Sequence, residues 1–390
     1  MANSITVPAL LTLVLCLISS TVSTSVDNHP IRRGGGHMNV IDRCWRRNRL
    51  WASRRQRLAS CSAGFAGKMR NNIGPGLRWY VVTNPGDDPA QPRPGTLRYG
   101  ATMIPGKVWI TFAHDMQITL RSPLPIKSYT TLDGRGAVVH IARGAGLLLN
   151  NVHDVIIHGL HFYGNRAATA GTDGDAIRLV GSRKVWIDHN TLYAGEDGLV
   201  DVTRGSTDIT VSNNWFHDHN KVMLLGHDDG FLEDRNMRVT VVFNRFGPNC
   251  SQRMPRIRHG YAHVANNLYD GWVKYAIGGS MNPKVKSEAN LFIAPSNHKK
   301  AVTWRETEDG KQWEWKSVND VFLNGAFFGQ TEVGGLEPAY NRRQRFVVGK
   351  AENVRVSPNS PVRCAAPSQL RADHGTSLLP AEYSRLHTEQ

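Results

Sequence analysis

From residue 130 onward the apolar residues fall in short, β-rich runs that close on a polar turn. VIIHGLHF (155–162), VWIDHNTL (185–192), ITVSNNWF (209–216), VTVVFNRF (239–246), AHVANNLY (262–269) and KSEANLF (286–292) share this layout. Aligned, they place Gly159, Asn190, Asn214, Asn244, Asn267 and Asn290 in one column, at steps of 31, 24, 30, 23 and 23 residues. A repeat of that length with one cluster of short strands per unit predicts a solenoid. Coils stacked at roughly 4.8 Å set identical positions above one another. An inward Asn then donates its amide to the next Asn's oxygen and satisfies turn backbone groups. Asn also tolerates the left-handed conformation expected at such a turn. A β-sandwich is the alternative, but its hairpins would favour Asn-Gly pairs, which these runs lack. Runs such as VTVV and VIIH are apolar on consecutive positions, which suits parallel sheets partly covered on the outside. The uneven steps imply turns of variable length on one side of the coil.

Outside the repeat the pattern changes. Residues 42–61 are basic with apolar residues at helical spacing and predict a short N-terminal helix or two; a solvated cationic arm is the alternative. Gly and Pro rise through 64–106, which predicts loops joining short strands. Past residue 295 the repeat fades. Residues 300–330 are expected to cap the last coil, and 335–390 to be loosely packed or disordered. The expected organisation is a leader at 1–25, a basic segment with a short helix at 26–60, an all-β solenoid at 61–330 and a tail at 331–390.

The first 25 residues carry no charged side chain, and an apolar run from Pro8 to Ile18 is followed by small residues. This predicts a secretory signal peptide cut near Ser23 to Ser25; the run is short for a membrane anchor. Cys16 leaves with it, and Cys44, Cys61, Cys250 and Cys364 remain. Four thiols allow three pairings; Cys44 with Cys61 is the first expected, because they are close in one helix-like stretch. The formal charge of +15 stays with the mature chain. A secreted protein this basic is expected to meet a polyanion: nucleic acid, anionic lipid or acidic polysaccharide.

Two acidic stretches, TDGDAI (172–177) and EDGLVD (196–201), lie one repeat apart. If coils stack, Asp173, Asp175, Asp197 and Asp201 face one edge. Clustered carboxylates without a counter-ion would rise in pKa; with Ca²⁺ they make a hard oxygen site. Each stretch alone reads equally as an ordinary Asp-Gly turn. Two carboxylates would also serve glycoside hydrolysis as acid and base. Lys221 follows one repeat later, and RMPRIRHG (253–260) then brings Arg253, Arg256 and Arg258 within six positions. Acids on earlier coils and bases on later ones suit a polymer with a carboxylate on every unit, since arginine binds carboxylates bidentately. Structural ion pairs are the plainer role for any one of these arginines. His227 and His259 read as packing or supporting residues.

With these motifs in place, the chain resembles the plant pectate lyases. IDRCWR, RWYVVT, PGTLR, TLDGRG, VWIDHNTL, DGDAI, DGLVD, GSTDITVSNN, KVMLLGH, QRMPRIRHGY, YAIGGS and NGAFF carry the resemblance, from about residue 38 to 330. It implies a right-handed parallel β-helix that cleaves polygalacturonate, demethylated pectin, by Ca²⁺-dependent β-elimination, giving 4,5-unsaturated products. It implies Asp173, Asp175, Asp197 and Asp201 as calcium ligands, Lys221 and Arg258 on the substrate carboxylate, and Arg253 as the catalytic base; no role carries over to Arg256. Arginine normally stays protonated, so a base at Arg253 implies an alkaline optimum. The resemblance also implies a secreted protein of the plant cell wall, expected to act as a monomer, with no nucleic-acid or membrane partner once the signal is removed.

Two departures stand out. AATAGTDGDA lacks the longer insertion many plant members carry before DGDA, and Ile257 stands where the family commonly has Cys, which leaves Cys250 without an obvious partner. Asn249-Cys250-Ser251 is a glycosylation sequon near Arg253, expected unmodified or pointing away. Three other readings remain: a weakly active homologue that binds pectate, a polygalacturonase-type hydrolase, and a pectin lyase for methylated substrate. The aromatics show no stacking pattern on a basic face, which argues against nucleic acid.

Overall fold

The computed structural model describes residues 38–47, 50–169, 173–306, 313–331 and 334–354. The leader at 1–25 and Cys364 lie outside these residues. Among those described, no helix is long and apolar enough to cross a membrane.

The β-rich runs form three parallel sheets of ten, eight and nine strands, wound as a parallel β-helix. One coil shows the plan. His153–His158 lies in the first sheet, His161–Tyr163 in the third and Ile177–Val180 in the second, before Arg183–Asp188 returns to the first sheet one layer on. Inward side chains such as Val155, Ile157, Val185, Ile187, Ile209 and Val211 are fully buried. Phe216, Phe246, Tyr269, Phe292 and Phe322 stack one per coil, with ring centroids 5.1, 4.9, 4.4 and 5.6 Å apart. Each offset ring covers the next and keeps the layers in register.

The corner between the first and third sheets is two residues long in every coil of the asparagine column, and it fixes the stacking. Asn190 Nδ2 donates to Asn214 Oδ1, Asn214 to Asn244, Asn244 to Asn267 and Asn267 to Asn290, each at 3.0 Å. The same oxygens accept the backbone N–H of the preceding rung, and each amide's second hydrogen reaches a carbonyl, as from Asn244 Nδ2 to Val211 O at 2.9 Å. Every polar atom of a buried Asn is thereby used. The ladder ends on Asp320, whose Oδ1 accepts from Asn290 Nδ2 at 3.0 Å. A carboxylate is acceptor-only, which suits a last rung with no further coil to donate to.

Three expectations change. Gly159 is not in the column: register pairs His158 with Asp188 and His161 with Thr191, so Leu160 is the neighbour of Asn190, and its N–H donates to Asn190 Oδ1 at 3.0 Å. The left-handed residue is the one before each Asn, namely His189, Asn213, Phe243, Asn266 and Ala289, with φ from 51° to 61°. Gly159 occupies that position with φ 74°. Coiling also extends beyond the repeat seen in sequence. It begins at Arg78–Val82, and Thr303–Arg305, Glu314–Val318 and Val321–Leu323 add a further layer to the three sheets where a cap was expected.

Segments at both ends cover the outer face of the first sheet. A short helix, Val40–Trp45, leads to a 3-10 stretch, Trp51–Ser60, and a Cys44–Cys61 disulfide joins them, as expected. Ile41, Trp45, Leu58 and Met69 pack on outward-facing Trp109, Ile156 and Trp186. Asp42 reaches into the sheet, where His189 donates from Nε2 to Asp42 Oδ1 at 2.8 Å and from Nδ1 to Asp188 Oδ2 at 2.7 Å. Residues 336–354, expected to be loose, instead form a strap: Tyr340 hydrogen-bonds Thr240 and His263, and Gln344 is buried. With both faces covered, consecutive positions such as Val155 and Ile156 are both apolar.

Candidate active site

The expected site residues sit on or just before strands of the second sheet, beyond the corner whose length varies, except Arg258, which directly follows the strand Arg256–Ile257. Outward positions along that sheet form one column: Arg178, Asp201, Leu224, Arg256, Gly278 and Trp304. Parallel register therefore sets acids and bases from distant parts of the chain side by side.

Asp175 and Asp201 converge on Gly198. Asp175 is buried, and its Oδ1 accepts the Gly198 N–H at 2.8 Å. A Cβ on Gly198 would lie 2.2 Å from Asp201 Oδ1 and 2.8 Å from Asp175 Oδ1, so the two carboxylates share a cradle that only glycine leaves open. Neither carboxylate has a cationic partner among the described salt bridges. Burial, with Asp197 and Asp173 nearby, pushes the Asp175 carboxyl up to about 6 against the pull of the Gly198 N–H. Burial and the charges of Asp175 and Asp197 push Asp201 well above the usual carboxylate range, although Arg253 and Arg178 pull it down. The outer two acids are engaged. Asp173 pairs with Arg178, and Asp197 Oδ1 accepts from Lys221 Nζ at 2.9 Å. The four expected ligands thus gather in one region but split into an unpartnered inner pair and a salt-bridged outer pair.

Lys221 ends a short strand, His219–Lys221, paired with Cys250–Gln252. His219 Nε2 hydrogen-bonds Asp197 O at 2.6 Å, which fixes the loop carrying Asp197. Arg253 follows with φ 62° and passes its carbonyl to Met223 N at 2.7 Å. That conformation recurs at corners such as Asn213 and Ala289, so here it marks a corner rather than strain peculiar to the site.

The three arginines are used differently. Arg256 is buried, paired with Glu306, and its guanidinium lies 5.9 Å from the Trp304 ring centre. Arg258 donates to Gly226 O at 3.1 Å and lies 3.3 Å from Asp229; burial and the Arg256 charge push its guanidinium down. Arg253 forms no ion pair among the described residues, its Nε is buried without a hydrogen-bond partner, and its charge bears on Asp201. Of the three, Arg253 is the one left uncommitted beside the carboxylates. His259 is buried, with Nε2 on Asp229 O at 2.9 Å, and His227 packs edge-on against Phe231, so both are supporting residues.

Sequence reasoning missed several members of this surface. Arg178 is one register step from Asp201. Tyr275 lies flat over Gly278, where a Cβ would meet its ring at 2.2 Å, and stacks on Trp304 with centroids 4.9 Å apart. Its buried hydroxyl feels the charges of both Arg256 and Arg253. The two glycines of YAIGGS were the available signal: a strand with no side chain on its outer face leaves room for a neighbouring ring. Cys250 is a buried free thiol whose Sγ donates to Phe216 O at 3.4 Å. Asn249 of the sequon is exposed, with Nδ2 donating to Asp218 Oδ1 at 2.6 Å.

Residues 115–314 match the family described as Pectate lyase. The chain is 47% identical over 361 residues to probable pectate lyase 4 of Arabidopsis thaliana, covering 91% of this chain and 97% of that one. It is 46% identical over 344 residues to pectate lyase 1 of Cryptomeria japonica, covering 82% and 90%. The solved structure of Jun a 1, the major allergen from cedar pollen, superposes with a TM-score of 0.78 at 44% identity, over 82% of this chain and 98% of that one.

Proposed function

Since the chain belongs to the pectate lyase family, we propose that it is a calcium-dependent lyase that cleaves α-1,4-linked polygalacturonate by β-elimination. The observation that carries this reading is the pair Asp175 and Asp201 around the Gly198 cradle, unpartnered by any described cation, with uncommitted Arg253 beside them. Two carboxylates held together against their own repulsion fit a hard divalent cation, and an all-oxygen donor set suits Ca²⁺. Asp175 and Asp201 would hold it, with Asp173 and Asp197 joining as Arg178 and Lys221 turn to substrate. Bound there, Ca²⁺ supplies positive charge next to a galacturonate carboxylate and makes the adjacent C5–H more acidic.

The chain's own residues do the rest. Lys221, released from Asp197, and Arg258 bind substrate carboxylate and favour the charge that develops beside C5. Arg253 accepts the C5 proton. The C5–H electron pair becomes the C4=C5 double bond, and the C4–O pair leaves with the neighbouring sugar, which takes up a proton. No water is consumed. Because Arg253 must be deprotonated to act, the rate rises toward alkaline pH. Secretion to the plant cell wall rests on the uncharged apolar leader at 1–25 and on the Cys44–Cys61 disulfide. The residues assigned to calcium, substrate and proton all come from one chain, so a monomer suffices.

The test is ultraviolet absorbance of the unsaturated product formed on polygalacturonate, with calcium or chelator, for wild type and Arg253→Ala. Calcium-dependent absorbance that Arg253→Ala abolishes is expected. New reducing ends without absorbance would reveal a hydrolase, and binding without turnover an inactive homologue.

A further inference from the structure

The positive charge of the chain is unevenly committed. On and beside the second sheet, Arg178, Lys221, Arg256 and Arg258 all face a carboxylate. The outer face of the first sheet differs. The N-terminal segment carries Arg43, Arg47, Arg54, Arg57 and Arg70, all exposed and none ion-paired among the described residues. Its one acid, Asp42, is buried on His189. The strap adds exposed Arg342, Arg343 and Arg345, again without described ion pairs, while its Glu337 is bonded to Lys286.

Segment and strap form one surface. Gly64 N donates to Gln344 O at 2.9 Å, and Gln344 Nε2 donates to Phe65 O at 2.7 Å. A Cβ on Gly67 would touch Arg343 O at 3.8 Å. Both are anchored on the same sheet: Phe65 N donates to Thr240 Oγ1 at 3.0 Å, and that hydroxyl also meets Tyr340. Within the segment Lys68 lies beside Arg70, and burial together with that neighbouring charge pushes its ammonium down. Unbalanced like charge weakens a compact fold unless an opposite charge meets it. The cations are mostly arginine, whose planar fork matches carboxylates two bonds at a time.

We propose that this arginine face, where the N-terminal segment and the strap lie side by side over the first sheet, is a second, non-catalytic binding surface for carboxylate-bearing polysaccharide. It is separate from the groove on the second sheet. The proposal rests on the lyase reading only in taking the same class of polymer as substrate. A long chain held on this face raises the effective concentration of its other segments at the groove. A short oligosaccharide cannot engage both faces, so the benefit is confined to long polymer.

The experiment uses the full chain with Arg342→Glu/Arg343→Glu, and separately Arg57→Glu/Arg70→Glu. Binding is measured in the Arg253→Ala background with chelator present, on long polygalacturonate and on trigalacturonate. The expected result is a dissociation constant for long polymer raised about tenfold by either pair, with a shallower salt dependence. Trigalacturonate binding and the thermal midpoint stay unchanged, and Arg342→Lys/Arg343→Lys retains most of the affinity. In the active background, KM rises on long polymer alone. Unchanged long-polymer binding in both charge reversals overturns the proposal. So does a parallel loss on trigalacturonate, or a loss confined to nucleic acid. Absence of lyase activity would refute the functional reading yet leave this binding result standing.

Discussion

Replacing Gly198 with alanine probes the metal cradle with a single carbon. The new Cβ would sit 2.2 Å from Asp201 Oδ1 and 2.8 Å from Asp175 Oδ1. Ordinary contact needs well over 3 Å, so the Asp201 carboxylate must retreat by about 1 Å, and misplacements of that size at a reacting centre cost about a hundredfold in rate. Gly198 is not among the residues with positive φ, so its backbone accepts alanine and the effect is confined to the carboxylates. Folding should survive, because the Asp201 side chain can rotate toward the groove. The assay is kcat/KM on polygalacturonate across a calcium titration, with thermal unfolding alongside. The expected outcome is a rate about a hundredfold lower, a raised calcium requirement, and a midpoint within a few degrees of wild type. Gly195→Ala is the matched control: its nearest neighbour would be Leu199 Cδ2 at 3.3 Å, a flexible side chain. Wild-type calcium response in Gly198→Ala would refute the assignment of Asp175 and Asp201 as ligands. Equal damage from Gly195→Ala would show that the loop, not the cradle, had been disturbed.

Two further outcomes follow from the frame around the site. Asn244→Ala removes the acceptor of Asn214 N and Nδ2 and the donor to Val211 O, leaving buried polar groups unpaired. A loss of about 4 kcal/mol is expected in urea unfolding; a loss under about 1 kcal/mol would mean water replaces the rung. His189 is raised to about 9 by Asp188 and Asp42, which outweigh its burial, so its contribution to stability is complete below about pH 6.5 and lost as pH rises through 9. His158, lowered to about 4 by burial against the pull of Asp188, acts oppositely: stability is lost as pH falls from about 6.5 toward 4. Unfolding measured across pH should therefore peak near neutrality, and His189→Gln should flatten the alkaline side; an unaltered alkaline slope would separate this histidine from the docking of the N-terminal segment.

Legibility differed between the fold and the site for a physical reason. The asparagine column could be read because one residue type recurs wherever a two-residue corner recurs. It was misread by one position at Gly159, where the shared requirement is a left-handed backbone rather than an amide. The last layer of strands, Thr303–Arg305, Glu314–Val318 and Val321–Leu323, escaped notice because Val318-Asn319-Asp320 ends the ladder with a carboxylate, and the asparagine signal stops one rung early. Arg256 had no assignable role in sequence because its partners, Glu306 and Trp304, lie on a coil some fifty residues away.

By itself the sequence determined periodicity, the residue types in each turn and the kinds of charge available, since these depend on neighbours a few positions apart. Which of those charges remain free was decided in three dimensions. Parallel register brought Arg178 beside Asp201, and stacking of successive coils brought Lys221 against Asp197, while Asp175, Asp201 and Arg253 have no ion-pair partner among the described residues. Electrostatic balance depends on distances of a few ångströms across coils, and residues one repeat apart in the chain gain those distances only once the layers stack.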